Sequence, residues 1–327
     1  MTTILITGDP HLKIASQQLA ATYIDWFQQV VEETKPDLAV NLGDSFHTHN
    51  LIRSEIMAMF TNHVQWMNRH VDYYILVGNH DMAHHKAPHI HALLPFVDMG
   101  RARIIDRPLL SDTVAFLPYV DDVVAFQETL NKYKACSTIF CHEVFKNANY
   151  GFVTTKEGAE IPLDYEGQIV SGHIHKGQDL GCVWYPGTPF AQETADHNEV
   201  KGIYLYETTT RVRTFIKSPL PQWATSKATP ANFAEVIASM DRNNKNHLIL
   251  EGPGPEVVAA VDSKVFNDLK KEYHFSVKRQ STSSDKVTKS LRKVNSVEDA
   301  VVEYVDRIYD GSVDRAKLKA KCLEALK

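Results

Sequence analysis

Asp9 and His11 in GDPH, Asp44 in GDSFH, Asn79 and His80 in GNHD, His142 in CHE, and His173 and His175 in GHIH are the residues whose types could do chemistry. Carboxylate, carboxamide and imidazole without thiolate suit an intermediate divalent cation such as manganese, iron or zinc, and do not suit a structural zinc site. Asp9, His11, Asp44, Asn79, His142, His173 and His175 are too many ligands for one ion and enough for two. A two-metal site needs an anionic group able to bridge the ions, and Asp44, presented by a short Gly-Asp, is the candidate. Asp-x-His and His-x-His place alternate side chains on one side of an extended chain, with Ile174 turned to the core and Pro10 stiffening the first pair.

Most lone histidines are hydrogen-bonded surface or core residues, and His49, His63, His70, His197, His247 and His274 are read that way. His84, His85, His89 and His91 fit either a solvated loop or a contact with substrate or metal.

The elements that must position these groups begin with TTILITG, followed by a helix with Ile24, Phe27, Val30 and Val31 at helical spacing, which Pro36 stops. LAVNLGD reads as a second strand, Ile52, Ile56, Phe60, Val64 and Met67 as the face of a second helix, and YYILVGNHD as a third strand. This β-α-β-α-β order predicts a largely parallel sheet, which binds ligands outside the carboxyl ends of its strands, where GDPH, GDSFH and GNHD emerge. The glycine of GNHD is expected to permit a tight exit. After Asp106 the runs VAFLPYV, STIFCHE, QIVSGHIH, CVWYPG, KGIYLYE and RVRTFIKS, with a helix at 121–134, suggest a second, more antiparallel sheet.

Pro219 and Pro221 mark a boundary. Beyond it, Thr229-Pro230 predicts an N-cap and first helical residue, and HLILEGP, SKVFNDLKKEY and YHFSVKRQ make a small α/β unit. STSSDKVTKS has linker composition, and two amphipathic helices follow, the first stopped by Gly311. After a linker, such faces either dock on the body or bind a partner, and a partner is the expectation.

With 327 residues, 43% hydrophobic and 23% charged, the chain can hold one large domain plus something smaller. No apolar run reaches the roughly 18–20 residues that span a membrane, and the N-terminus lacks a basic n-region, so no membrane association and a cytoplasmic location are expected. Cys136, Cys141, Cys182 and Cys322 show no CxxC spacing and are expected to be reduced. The net charge of −5 is unevenly placed, with nine Lys/Arg against three Asp/Glu between Lys264 and Lys293, so any polyanion contact is local.

The order GDPH, GDSFH, GNHD, CHE, GHIH resembles the calcineurin-like metallophosphoesterases over about the first 220 residues. The histidine in GDSFH, YPGTPF after GHIH, and the layout of cap, linker and helix pair are most similar to the SbcD-type DNA repair nucleases and their shorter tailed-phage counterparts. The resemblance implies two packed mixed β-sheets flanked by helices in an α/β/β/α sandwich, with a small α/β cap domain and a C-terminal helix pair. It implies a dinuclear nuclease domain at 1–220, the cap at 221–280, a linker at 281–295, and helices at 296–327 that bind an SbcC-type coiled-coil ATPase. One metal, most naturally Mn²⁺, would be held by Asp9, His11, Asp44 and His175, and a second by Asp44, Asn79, His142 and His173. His80 would face the scissile phosphate and give a proton to the leaving oxygen, with His47 beside it; Asp81 would either orient His80 or cap the turn. The implied activity is a manganese-dependent DNA nuclease, a 3′–5′ exonuclease on duplex ends with endonuclease capacity on hairpins or single strands, working as a homodimer. A phosphomonoesterase or cyclic-nucleotide phosphodiesterase would use the same site, but needs neither cap nor partner helices.

Overall fold

The β-branched and aromatic runs form strands and the 3.6-period stripes form helices, and the computed structural model stacks them in four layers. It describes residues 2–281, except 50, 85–88, 98, 152, 193–195 and 197, together with 317–319 and 321. The first sheet is entered through β1 (Thr3–Thr7), α1 (Gln17–Thr34), β2 (Leu38–Asn41), α2 (Ser54–His70), β3 (Asp72–Leu76) and β4 (Ala102–Ile105). These four strands are parallel neighbours. Lys35, in a left-handed conformation just before Pro36, ends α1.

The second sheet comprises β5 (Leu109–Ser111), β6 (Val114–Leu117), β7 (Thr138–His142), β8 (Gln168–Gly172), β9 (Gln178–Leu180) and β10 (Val183–Tyr185), with α3 (Val123–Lys132) between β6 and β7. Asp122 caps α3 by accepting from the Val124 and Ala125 amides. The expectation of a mainly antiparallel sheet is corrected: β6, β7, β8 and β10 run parallel, and only the edge pairs β5–β6 and β9–β10 are antiparallel. β11 (Gly202–Glu207) and β12 (Arg213–Lys217) belong to the first sheet, where β11 pairs antiparallel with β1. Apolar alternation marks a strand but does not choose its neighbour, so the sheet of a late strand is invisible to it.

Ile4, Ile6, Val40 and Leu76 of the first sheet meet Phe140 and Val170 of the second in one buried layer. Alternate residues of the same strands, such as Leu5, Ala39 and Ile75, face the other way onto Phe27, Phe60 and Val64 of α1 and α2. Ile139, Ile169 and Tyr185 likewise face Phe126 and Leu130 of α3. Period-two strands buried on both faces thus give the α/β/β/α order.

A third, wholly parallel sheet is built from β13 (Trp223–Ala228), β14 (Lys245–Gly252) and β15 (Ser276–Ser281), with α4 (Phe233–Ala238), α5 (Gly254–Asp262) and α6 (Lys264–Tyr273). It has its own core around Ile237, Leu248, Leu250 and Phe266. α4 starts later than Thr229-Pro230 suggests: the Thr229 amide and hydroxyl close a turn on Asn232 Oδ1 before the helix begins. The linker and most of the terminal helix pair lie outside the described residues; 317–319 and 321 are helical. Cys136, Cys141 and Cys182 are free thiols, and Cys322 lies outside the described residues. No helix among the described residues is long and apolar enough to cross a membrane.

Candidate metal centre

The centre lies where the carboxyl ends of both sheets meet: Asp9, Asp44 and Asn79 follow β1, β2 and β3, while His142 ends β7 and His173 and His175 follow β8. The first two loops are tied together by their backbones, His11 N donating to Asp44 O at 3.0 Å and Leu12 N to Ser45 O at 2.9 Å. The extended geometry expected for the Asp-x-His and His-x-His pairs does not hold. His11, Asp44 and His173 have φ values of +42°, +50° and +77°, a left-handed conformation costing side-chain-bearing residues about 1–3 kcal/mol each. Ile174 is fully buried, as its place between two histidines suggests.

Gly78 has an ordinary φ of −90°, so turn freedom is not the reason for glycine there. A Cβ would come within 2.3 Å of Asp44 Oδ1 and 2.9 Å of His142 Cε1, so glycine is needed because two donor groups press on the backbone.

The carboxylate of Asp44 faces both ways. Its Oδ2 is 3.6 Å from His11 Nε2, and its Oδ1 is 3.4 Å from His142 Nε2 and accepts from the His80 amide at 2.7 Å. His142 donates from Nδ1 to the Leu42 carbonyl at 2.7 Å, which points Nε2 at Asn79 Oδ1, 3.0 Å away. His11 Nε2 and His175 Nε2 stand 3.0 Å apart, and Asp9 Oδ1 accepts from the His173 amide at 3.1 Å. Lone pairs converging at such distances are tolerable only when protons or cations are shared among them. Asp9 Oδ2, His11 Nδ1 and His173 Nδ1 are buried with no hydrogen-bond partner among the described residues, so the donor set fits divalent cations.

Titration among the donor groups themselves follows the same logic. Burial disfavours charge on His142, but the Asp44 and Asp9 carboxylates push its pKa up to about 10. Burial likewise opposes ionisation of Asp44, yet His142 and His11 hold it well below the usual carboxylate range. His173, buried beside the His142 charge, falls to about 3. Nε2 of His142 keeps a proton because it must otherwise face two oxygen acceptors.

His80 stands at the mouth. Its Nδ1 lies 2.7 Å from the His47 carbonyl oxygen, which fixes the ring, and its face is edge-on to His11. Of the two roles open to Asp81, the contacts favour the cap. Oδ2 accepts from the Gly78 amide and Oδ1 from the Phe46 amide, and burial together with Asp44 raises its pKa to about 8.

A cavity of about 220 Å³ is lined by Asp44, Asn79, His80, Tyr150, His173 and His175. Three neighbours escape the sequence reading. His49 stacks on His80 at 4.3 Å, signalled only by its spacing from His47; Tyr119 lies parallel to His173 at 5.9 Å; Tyr150 has no signal at all. His84 and the exposed His89 do not line this cavity, and His91 is buried with Nε2 3.9 Å from Asp106; His85 lies outside the described residues. Among the other histidines, His70 stacks on Trp66 and His247 pairs with Ser276, while His197 lies outside the described residues.

The profile of the calcineurin-like phosphoesterases matches residues 2–204. The chain belongs to that family. As a metallophosphoesterase it carries the family's fold in both sheets, and its metal dependence accords with the donor set. It is 24% identical over 284 residues to protein 244L of invertebrate iridescent virus 6, a phosphoesterase by name, covering 80% of this chain and 98% of that protein. It is also 24% identical over 229 residues to exonuclease subunit 1 of phage T4, covering 65% of this chain and 67% of that one. The crystal structure of Pseudomonas putida nuclease MPE is similar at 13% identity and a TM-score of 0.31, covering 64% of this chain and 87% of that one. That superposition is too loose for comparing sites.

Proposed function

We propose that this metallophosphoesterase is a manganese-dependent DNA nuclease, a 3′–5′ exonuclease on duplex ends with endonuclease capacity on single strands and hairpins. The observation that carries the phosphodiester chemistry is Asp44, whose two oxygens address separate groups of nitrogen and oxygen donors beside an open cavity. Asp9, His11, Asp44 and His175 would hold one ion, and Asp44, Asn79, His142 and His173 the other. Bound divalent ions supply Lewis acidity to the phosphoryl oxygens and to the attacking water.

The chain's own groups do the rest. Asp44 Oδ1 fixes the His80 amide and the His47 carbonyl fixes its Nδ1, leaving Nε2 to give a proton to the leaving oxygen. Tyr150 lines the cavity that a strand must enter, and His49 stacks on His80. The similarity to the phage exonuclease subunit supports a nucleic-acid strand as substrate, and the third sheet, beyond the matched residues, is an addition that hydrolysis of a monoester does not require. In this reading residues 296–327 bind an SbcC-type coiled-coil ATPase, the protein acts as a homodimer inside the cell, and the complex processes DNA ends in repair or recombination.

The test is cleavage of an end-labelled linear duplex with and without Mn²⁺, beside a phosphomonoester, by wild type and Asp44→Ala. Manganese-dependent degradation by wild type alone, with the monoester poorly used, is the expected result. Rapid monoester turnover with DNA untouched would replace the nuclease by a phosphomonoesterase on the same site.

A further inference from the structure

Behind His11 and His175, outside the donor set, lies a buried lysine. Lys201 immediately precedes β11 and its side chain is 3% exposed. An ammonium has three hydrogens to donate, and here each has an acceptor: the His175 carbonyl at 2.7 Å, Glu199 Oε2 at 2.8 Å and Asp196 Oδ1 at 2.8 Å. Asp196 Oδ2 accepts from the Gln192 amide at 2.8 Å, and the Gln192 side chain donates to the Pro10 carbonyl at 2.8 Å. One connected set of bonds therefore grips the backbone beside His11 and the backbone of His175, the pair whose Nε2 atoms stand 3.0 Å apart.

A buried ion cluster contributes little net stability compared with apolar packing, so its place here asks for another reason. The target of the ammonium supplies one: a carbonyl belonging to a proposed ligand, in a loop that leaves the strand through left-handed His173. Asn79 and His142 are held by other groups: the Asp81 carboxylate accepts from the Gly78 amide beside Asn79, and the Leu42 carbonyl accepts from His142 Nδ1.

We propose that Lys201 is a positioning residue for one half of the metal centre: its ammonium fixes the His175 carbonyl and, through Asp196 and Gln192, the Pro10 carbonyl. Removal of the ammonium should loosen the His11 and His175 half and leave the Asn79, His142 and His173 half intact. The inference rests on the two-ion reading of the centre.

The experiment is Mn²⁺ titration of the full chain by calorimetry, with the spin-coupled pair followed by electron paramagnetic resonance. Wild type should bind two ions. Lys201→Met should weaken one of them by about 10–100-fold, the range for outer supports of metal ligands, and shift the other by less than twofold. Because Lys201→Met leaves carboxylates uncompensated, Lys201→Met with Asp196→Asn is measured beside it, and Gln192→Ala reads the Pro10 arm without changing any charge. Ile237→Ala, fully buried in the third sheet's core, lowers Tm without touching the centre and should leave both affinities unchanged. Unchanged affinities in the folded Lys201 variants, or in Gln192→Ala where those do not fold, overturn the proposal. Equal loss of both ions overturns it too, since that is what general destabilisation produces. Fewer than two ions on wild type overturns the reading of the centre itself.

Discussion

At the residue scale, the GNHD segment divides its labour among neighbours that look alike on paper. Asn79 faces His142, His80 faces the cavity, and Asp81 turns back to hold Gly78 and Phe46. Asp44→Ala should abolish turnover and lower the metal content per chain, because the two oxygens of this carboxylate reach the His11 and His142 nitrogens on either side. His80→Ala should keep both ions and lose about 10²–10⁴-fold in turnover, the usual size of a general-acid contribution. Loss of metal in the His80 variant, measured by elemental analysis, would refute its role as proton donor. Gly78→Ala forces a methyl to within 2.3 Å of Asp44 Oδ1 and 2.4 Å of its amide, so metal content should fall although the glycine's φ suits alanine. These donor residues were legible because polar groups after apolar runs are unusual. The left-handed turns at His11, Asp44 and His173 were not, since aspartate and histidine enter that region more often than most side chains but still only in a small minority of cases.

At the element scale, α1 and α2 were readable from their apolar stripes, and so was the parallel order of the first strands. The allocation of β11 and β12 was not, because it depends on long-range pairing. One residue on α2 gives these helices an acid response. His63 is fully enclosed near Phe27, Phe60 and Tyr73, and Gln28 Nε2 donates to its Nδ1 at 3.2 Å. Burial lowers its pKa to about 3 from 6.5. A depressed pKa means the neutral form belongs to the fold. Its contribution is complete above 6.5 and is lost as pH falls from there toward 3. His63→Leu should therefore move the acid-unfolding midpoint, followed by circular dichroism, to lower pH than wild type.

At the scale of the whole molecule, the centre draws four ligands from the first sheet's side and three from the second's, so metal binding and sheet docking are one equilibrium. Ion removal by a chelator should lower Tm, and Mn²⁺ should restore it, by about 2.7 kcal/mol when the free ion is at 100 times its Kd. A Tm indifferent to both would show that the donors need no cation. The third sheet has a separate core, so Ile237→Ala should cost about 2–5 kcal/mol there, read in denaturant melts, without changing metal content. Deletion of 296–327 should spare manganese-dependent cleavage and lose ATPase binding; an insoluble product would mean instead that those residues pack on the body.

β1 lies between β2 and β11, and β11 is made only after the whole second sheet. During synthesis at ~5–20 residues per second, one edge of β1, carrying Ile4, Leu5 and Ile6, waits on the order of 10–40 s for its partner. An apolar strand with an open edge is a template for other chains. Yield of folded protein should accordingly depend on temperature and expression rate more than on Tm, and a chain released before Glu207 should be found with the ribosome-associated chaperones or in aggregates.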